Sequence, residues 1–263
     1  MKIMQGNSRS QIEKDLHQIA DMLLLNGTLT ECPGLLHGKM GIAIFFFHYT
    51  KFTGNGLFAD YAMDVIGEML DQIHVNSPAD YENGLAGIGV GFDYLIQNGF
   101  LCTEDDICED FDSRMYQAVM YDPCSNFGLY GGLTGYGRYW LTRLRYPESA
   151  VLAQECLLRI TVQVDTMLPN ILIAEQSDVF GFLSNMQKLS GFDQYTGLLE
   201  KCRKEWSFSE PLRHEIENTL QQIPNLDMKK APVNTGLLGG YAQEGMLRLT
   251  ALGQTDASWI NLL

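Results

Sequence analysis

A chain of 263 residues, 46% of them hydrophobic, can fill a substantial core and fits a single domain spanning 1–263. Its 18 Lys and Arg stand against 32 Asp and Glu, a net charge of -14. That balance excludes the clustered cations that nucleic acid or an anionic membrane surface requires. Six cysteines (Cys32, Cys102, Cys108, Cys124, Cys156, Cys202) are scattered without a C-x-x-C pair, and residues 1–10 lack the apolar segment of a signal peptide. No stretch approaches the ~18 uninterrupted apolar residues of a membrane span. The expectation is a cytoplasmic protein with reduced thiols.

In chain order, residues 8–25 predict an amphipathic helix, with Ile12, Leu16, Ile19, Ala20 and Leu23 on one face and Gly27 as its stop. A loop through Cys32, Pro33 and Gly34 leads into an apolar run that ends at Phe47. The clearest helix follows: Tyr61, Ala62, Val65, Ile66, Met69, Leu70 and Ile73 recur at helical spacing, with Asp60, Asp64, Glu68 and Asp71 opposite. Pro78 breaks it. Further amphipathic helices are predicted over 104–120 and 148–167, and an apolar one over 138–145. Residues 193–224 predict two shorter helices split at Pro211. No segment shows sustained period-two alternation, so the fold class is all-α.

One motif recurs. Gly38-x-x-Gly41, Gly84-x-x-Gly87, Gly132-x-x-Gly135 and Gly236-x-x-Gly239 each open an apolar stretch, and 178–182 reads as a worn copy that keeps only Gly181. The copies start at 38, 84, 132, 178 and 236, intervals of 46, 48, 46 and 58. Spacings of roughly 40–50 residues mark repeat architectures. Helices polar on a wide face alternate with helices apolar nearly all round, which predicts an α/α toroid of about five outer–inner pairs. The glycines are expected to permit close backbone approach and positive φ at the turns. The first copy is one residue short of a phosphate-binding loop, and Met40 stands where Ser or Thr would meet magnesium.

These motifs, over 34–47, 84–95, 128–141 and 236–249, resemble the lanthionine synthetase C-like family. The resemblance implies a toroid of two concentric helical rings, normally of seven pairs. It also implies a zinc ion in the ring's mouth that activates a peptide cysteine for addition to dehydrated Ser or Thr. Here the chain departs from the family. It is shorter by about two pairs, and the slots of the family's zinc ligands hold other residues: Tyr130, Gln176 and Asn234 for the lone cysteine, and Leu36-His37, Glu82-Asn83, Tyr130-Gly131, Gln176-Ser177 and Asn234-Thr235 for the Cys-His pair. Only His37 matches, and a catalytic zinc needs three such ligands. No metal ligand set, and so no cofactor, is expected.

In a toroid, the residues preceding each inner helix gather at one mouth. Candidates for acid–base chemistry there are His37, Glu82 and Asp178, and candidates for substrate binding are Tyr81, Tyr130 and Asn234. Asp178 and Asn234 also suit helix N-caps, Glu82 suits a helix dipole, and His37 suits a structural hydrogen bond. Asp93, inside an apolar helix, needs a partner, and Arg138 stands at comparable depth on the next inner helix. Two readings follow. One is a zinc-free accessory or peptide-binding factor in the maturation of a ribosomally made peptide, with the peptide or a maturation enzyme as partner. The alternative is an enzyme acting on a peptide by lanthionine-type cyclisation, or on a carbohydrate, as six-hairpin glycosidases of α/α-toroid fold do.

Overall fold

The computed structural model describes residues 6–102, 108–122, 124–189, 196–206, 212–221, 223, 226 and 234–263. Among them every regular element is a helix: α1 (Gly6–Asn26), α2 (Lys39–Thr53), α3 (Leu57–Asp71), α4 (Leu85–Gln97), α5 (Glu109–Met120), α6 (Leu133–Arg143), α7 (Ala150–Met167), α8 (Ile173–Gln187), α9 (Thr196–Glu205), α10 (Leu212–Gln221) and α11 (Tyr241–Ala251), with short 3₁₀ turns at Leu168–Asn170 and Ala257–Leu262. No described helix is long and apolar enough to cross a membrane. The two short helices expected over 193–224 are α9 and α10; the break at Pro211 lies outside the described residues, as do residues 104–107 of the helix expected over 104–120.

The chain forms two compact units. The first comprises Met1–His74, Gln97–Phe100 and Leu212–Leu263, the second Val75–Ile96 and Leu101–Pro211. In the first, α2 is buried without interruption from Lys39 to Tyr49. Its side chains are apolar on every face, so it is stable only when wrapped; each fully buried Ile or Phe contributes about 1.5–3 kcal/mol. α3 covers one side of α2, with the Phe46 and Tyr61 rings 4.8 Å apart edge to face. α11 covers another side, where Gly245 makes room for the Phe45 ring: a Cβ there would stand 2.2 Å from Phe45 Cε2. α1 packs on α11, and its buried Asp15 pairs with buried Arg248 at 3.4 Å. In the second unit α6 is central and meets α5, α7 and α8. Gly137 lies against the Phe182 ring of α8 and Gly89 of α4 against Tyr139.

Four of the buried helices begin in the same way. The N–H of the first helical residue donates to the carbonyl seven residues back: Lys39 to Cys32 at 2.9 Å, Leu85 to Pro78 at 2.9 Å, Leu133 to Asn126 at 3.0 Å and Tyr241 to Asn234 at 3.1 Å. The glycine before each helix lies flat against that returning strand of chain. A Cβ would stand 2.3 Å from Cys32 O at Gly38, 2.2 Å from Pro78 O at Gly84 and 2.5 Å from Asn126 O at Gly132. Gly38, Gly132 and Gly240 are extended, with φ of -131°, -131° and -117°, which any residue adopts. At these starts space selects glycine; the positive φ expected from sequence occurs at the neighbouring motif glycine Gly239, at 66°.

This loop geometry corrects three expectations. The last copy of the motif is registered on Gly240, the residue before α11, so Gly236 matches Gly34 and not Gly38. The copy read at 178–182 is no copy: both Asp178 and Gly181 lie inside α8, which starts at Ile173, and Gly181 has nothing within 4 Å of its Cβ position. Asp178 is therefore not an N-cap. Finally, Asp93 does not pair with Arg138. It accepts from Arg145 and, at 3.3 Å, from the Tyr146 hydroxyl.

Candidate functional site

The second unit brings together the loop before α4, the loop before α6 and the first turns of α8. The two loops are stitched by backbone: Tyr81 N–H and Glu82 N–H both donate to Tyr130 O, at 2.9 and 3.1 Å. Gly135 allows this approach, since a Cβ there would stand 2.8 Å from Tyr81 Cβ and 2.2 Å from Leu129 O. On the side of α8 no glycine loop answers, and acidic side chains supply the acceptors. Asp178 Oδ2 accepts from Leu129 N–H at 2.8 Å and Glu175 Oε1 from Phe127 N–H at 3.1 Å. Glu175 Oε2 reaches back to Leu172 N–H at 3.2 Å, which satisfies a donor at the start of α8.

Arg138, one turn into α6, projects into this cluster. Its guanidinium carbon lies 5.0 Å from the centre of the Tyr81 ring, which is fully buried. Tyr81 is thus a platform under the cation and not a surface for substrate, and burial raises its hydroxyl pKa against the pull of Arg138. Tyr130 is half-buried; burial and then the Asp178 charge raise its hydroxyl pKa. Asp178 is itself raised by burial, although the Leu129 N–H and Arg138 oppose this. Glu82 is half-buried at the rim of the same loop and its charge is felt at Tyr130.

His37 and Asn234 belong to the first unit. The Leu36 carbonyl beside His37 accepts from Leu238 N–H at 2.9 Å, and a Cβ on Gly236 would stand 2.4 Å from His37 Cα. The Asn234 side chain works inside its own loop: Oδ1 accepts from Gly236 N–H at 3.1 Å and Nδ2 donates to Leu238 O at 3.2 Å. Asn126 Oδ1 makes the same turn to Gly128 N–H at 2.7 Å, and Cys32 Sγ makes it to Gly34 N–H at 3.4 Å. Asn234 therefore shapes a loop, as Asn and Asp do where a side chain closes a turn.

Among the described residues no three His, Cys, Asp or Glu side chains stand close enough to hold a metal ion. None of the six cysteines is joined in a disulfide. Burial pushes Cys156 up to about 12 and Cys202 up to about 11, so both are held as thiols.

Two features had no strong signal in the sequence. Arg138 was read as a core partner for Asp93, because both lie on apolar helices, and only the packing frees it for the cluster. A cavity of about 290 Å³ is lined by Cys124, Ser125, Phe127, Gln163 and Met167 at the start of the loop before α6. Its lining carries no charged group, so it has nothing for acid–base work.

Comparison with protein-family models, curated proteins and solved structures finds no match to this chain.

Proposed function

We propose that this chain is a lanthionine synthetase C-like α/α toroid that works without zinc, as a peptide-binding accessory factor in the maturation of a ribosomally made peptide. The observation that carries the reading is the Arg138–Tyr81–Tyr130–Asp178 cluster. It joins the loops before α4 and α6 to the first turns of α8 and offers a cation, a hydroxyl and a carboxylate. The repeated loop with its seven-residue return supports the family resemblance, and so does the packing of the last buried helix, α11, on the first, α2. The partner is a peptide, or a maturation enzyme that presents one, and the free thiols suit a reducing cytoplasm.

A second reading rests on Asp178. A carboxyl held toward its neutral form is what a general acid on a sugar requires. One experiment separates the two: purified protein is assayed for metal content, for binding to short random peptides and for binding and hydrolysis on a glycan panel. Peptide binding that Arg138→Gln weakens, in protein without stoichiometric zinc, is the expected result. Glycan cleavage lost in Asp178→Asn favours the sugar enzyme, and stoichiometric zinc overturns the metal-free reading.

A further inference from the structure

We propose that Arg138 is the receptor for a carboxylate, and that the group delivered to it is the C-terminal end of a peptide. The inference rests on the peptide-binding reading above and specifies what that site recognises.

Arg138 differs from the other arginines whose side chains are buried or half-buried among the described residues. Arg143 pairs with Asp112 at 2.9 Å, Arg114 with Asp122 at 2.8 Å, and Arg248 with both Asp15 and Glu244. Arg138 is half-buried too, yet it has no hydrogen-bond or ion-pair partner among the described residues. Its charge reaches Asp178, Tyr130 and Tyr81, but no carboxylate oxygen lies within the 4.0 Å of an ion pair. A guanidinium presents five N–H donors in a flat fork that matches a carboxylate edge on. Stacking over the buried Tyr81 ring fixes the plane of that fork before any ligand arrives.

The surroundings narrow the anion. The Arg138 charge reaches Asp178, and Glu175 and Glu82 add negative charge around Asp178 and Tyr130, surroundings that weigh against a dianionic phosphate. A monoanion is tolerated. Two further groups feel the Arg138 charge, and among the described residues neither the Tyr130 hydroxyl nor Asp178 Oδ1 has a hydrogen-bond partner, whereas Asp178 Oδ2 is held by Leu129 N–H. A ligand that satisfies all three carries a carboxylate with an N–H donor close by. The last residue of a peptide has both. Its carboxylate meets Arg138 and Tyr130, and its amide N–H meets Asp178. A free amino acid shares the carboxylate but brings an ammonium group in place of the amide.

Two random peptide libraries test this, one displayed with free C-termini and one tethered through the C-terminus. The expected result is enrichment from the free library alone, with about tenfold weaker binding in Arg138→Gln, as loss of a charge-assisted hydrogen bond implies. Arg138→Lys, which keeps the charge and loses the fork, is expected to fall between the two. Thermal unfolding of each variant separates loss of binding from loss of fold. Should Arg138→Gln not fold, Arg138→Lys and competition by acetate carry the test. Equal enrichment from both libraries, or unchanged binding in Arg138→Gln, overturns the carboxylate assignment and leaves peptide binding intact. Inorganic phosphate competing more strongly than acetate overturns it as well. A free amino acid displacing the selected peptides more strongly than their N-acetylated forms do removes the peptide terminus as ligand. Enrichment from neither library overturns both readings.

Discussion

Arg143 and Asp112 meet in a buried two-pronged ion pair, Nε to Oδ1 and Nη2 to Oδ2, both at 2.9 Å. The pair joins α6 to α5. Ser149 and Tyr139 donate their hydroxyls to the same carboxylate, and Arg143 Nη2 also donates to Ser149 Oγ at 2.6 Å. Every oxygen lone pair of Asp112 that faces the core is therefore engaged. Removing one charge from such a pair leaves the other buried without compensation. Asp112→Ala is expected to cost about 3–5 kcal/mol, and Asp112→Leu combined with Arg143→Met to recover most of that loss. Denaturant unfolding followed by circular dichroism checks both, and a double variant as unstable as the single one sinks the account.

Two glycines at contrasting sites should respond to alanine with opposite signs. At Gly135 a Cβ would stand 2.2 Å from the Leu129 carbonyl oxygen, a backbone atom that cannot step aside. Gly135→Ala is expected to lose about 1–3 kcal/mol. Gly181 is exposed in the middle of α8 with open space around its Cβ position, so Gly181→Ala is expected to gain about 0.5–1 kcal/mol in helix propensity. The two melting temperatures, measured side by side, should move apart from that of the parent.

His48 gives the first unit a pH dependence. Burial, and then the charge of Lys51, lower its pKa from 6.5 to about 4, against the pull of Asp256. Between these values the unfolded chain binds a proton that the folded protein refuses. Stability therefore falls as the pH drops from 6.5 toward 4, by up to about 3 kcal/mol for this group. His48→Gln should flatten that part of the profile. A midpoint of denaturation that is level across this range in the parent contradicts the assignment.

Glu175 holds two backbone donors, Phe127 N–H and Leu172 N–H, one on each carboxylate oxygen. Glu175→Ala frees both and is expected to cost about 1–3 kcal/mol. Hydrogen exchange at the Phe127 and Leu172 amides should accelerate together. Acceleration at one amide alone means that the bridge is not shared.

Asp178 keeps its acceptor when changed to Asn, since the amide oxygen still receives Leu129 N–H. Its folded pKa lies above the ordinary 3.8, so its neutral form is favoured by the fold. The stabilising contribution is full below 3.8 and is lost as the pH rises through the raised folded value. At neutral pH Asp178→Asn is therefore expected to be at least as stable as the parent, while Asp178→Ala, which leaves Leu129 N–H without an acceptor, is less stable. Thermal scans at neutral and acidic pH decide this.

Residue pattern alone was enough to place most helices. On α3, Ala62, Val65, Ile66 and Met69 are buried where their 3.6-residue spacing puts them, and Gly38, Gly84 and Gly132 each precede a buried helix. Local periodicity reports which face a helix hides, because burial acts on every turn in the same way. The pattern was less informative where a position answers to a partner distant in sequence. Gly236 and Gly240 look equivalent as letters; the Asn234 carbonyl that receives Tyr241 N–H is what selects Gly240 as the helix start. Asp178 was read as a cap, but it sits inside α8 because Glu175 and Leu172 start that helix earlier.

Composition and spacing by themselves determined the all-α class, the alternation of wrapped and amphipathic helices, and the glycine before three buried ones, Gly38, Gly84 and Gly132. Tertiary structure alone decided the pairing of charges: Asp93 turns to Arg145, Asp112 takes Arg143, and Arg138 stacks over Tyr81 with no acceptor among the described residues. The reason is physical. Burial of an apolar face depends on the helix itself, whereas an ion pair forms only where two side chains from different helices converge within a few ångströms, a condition that helix packing sets.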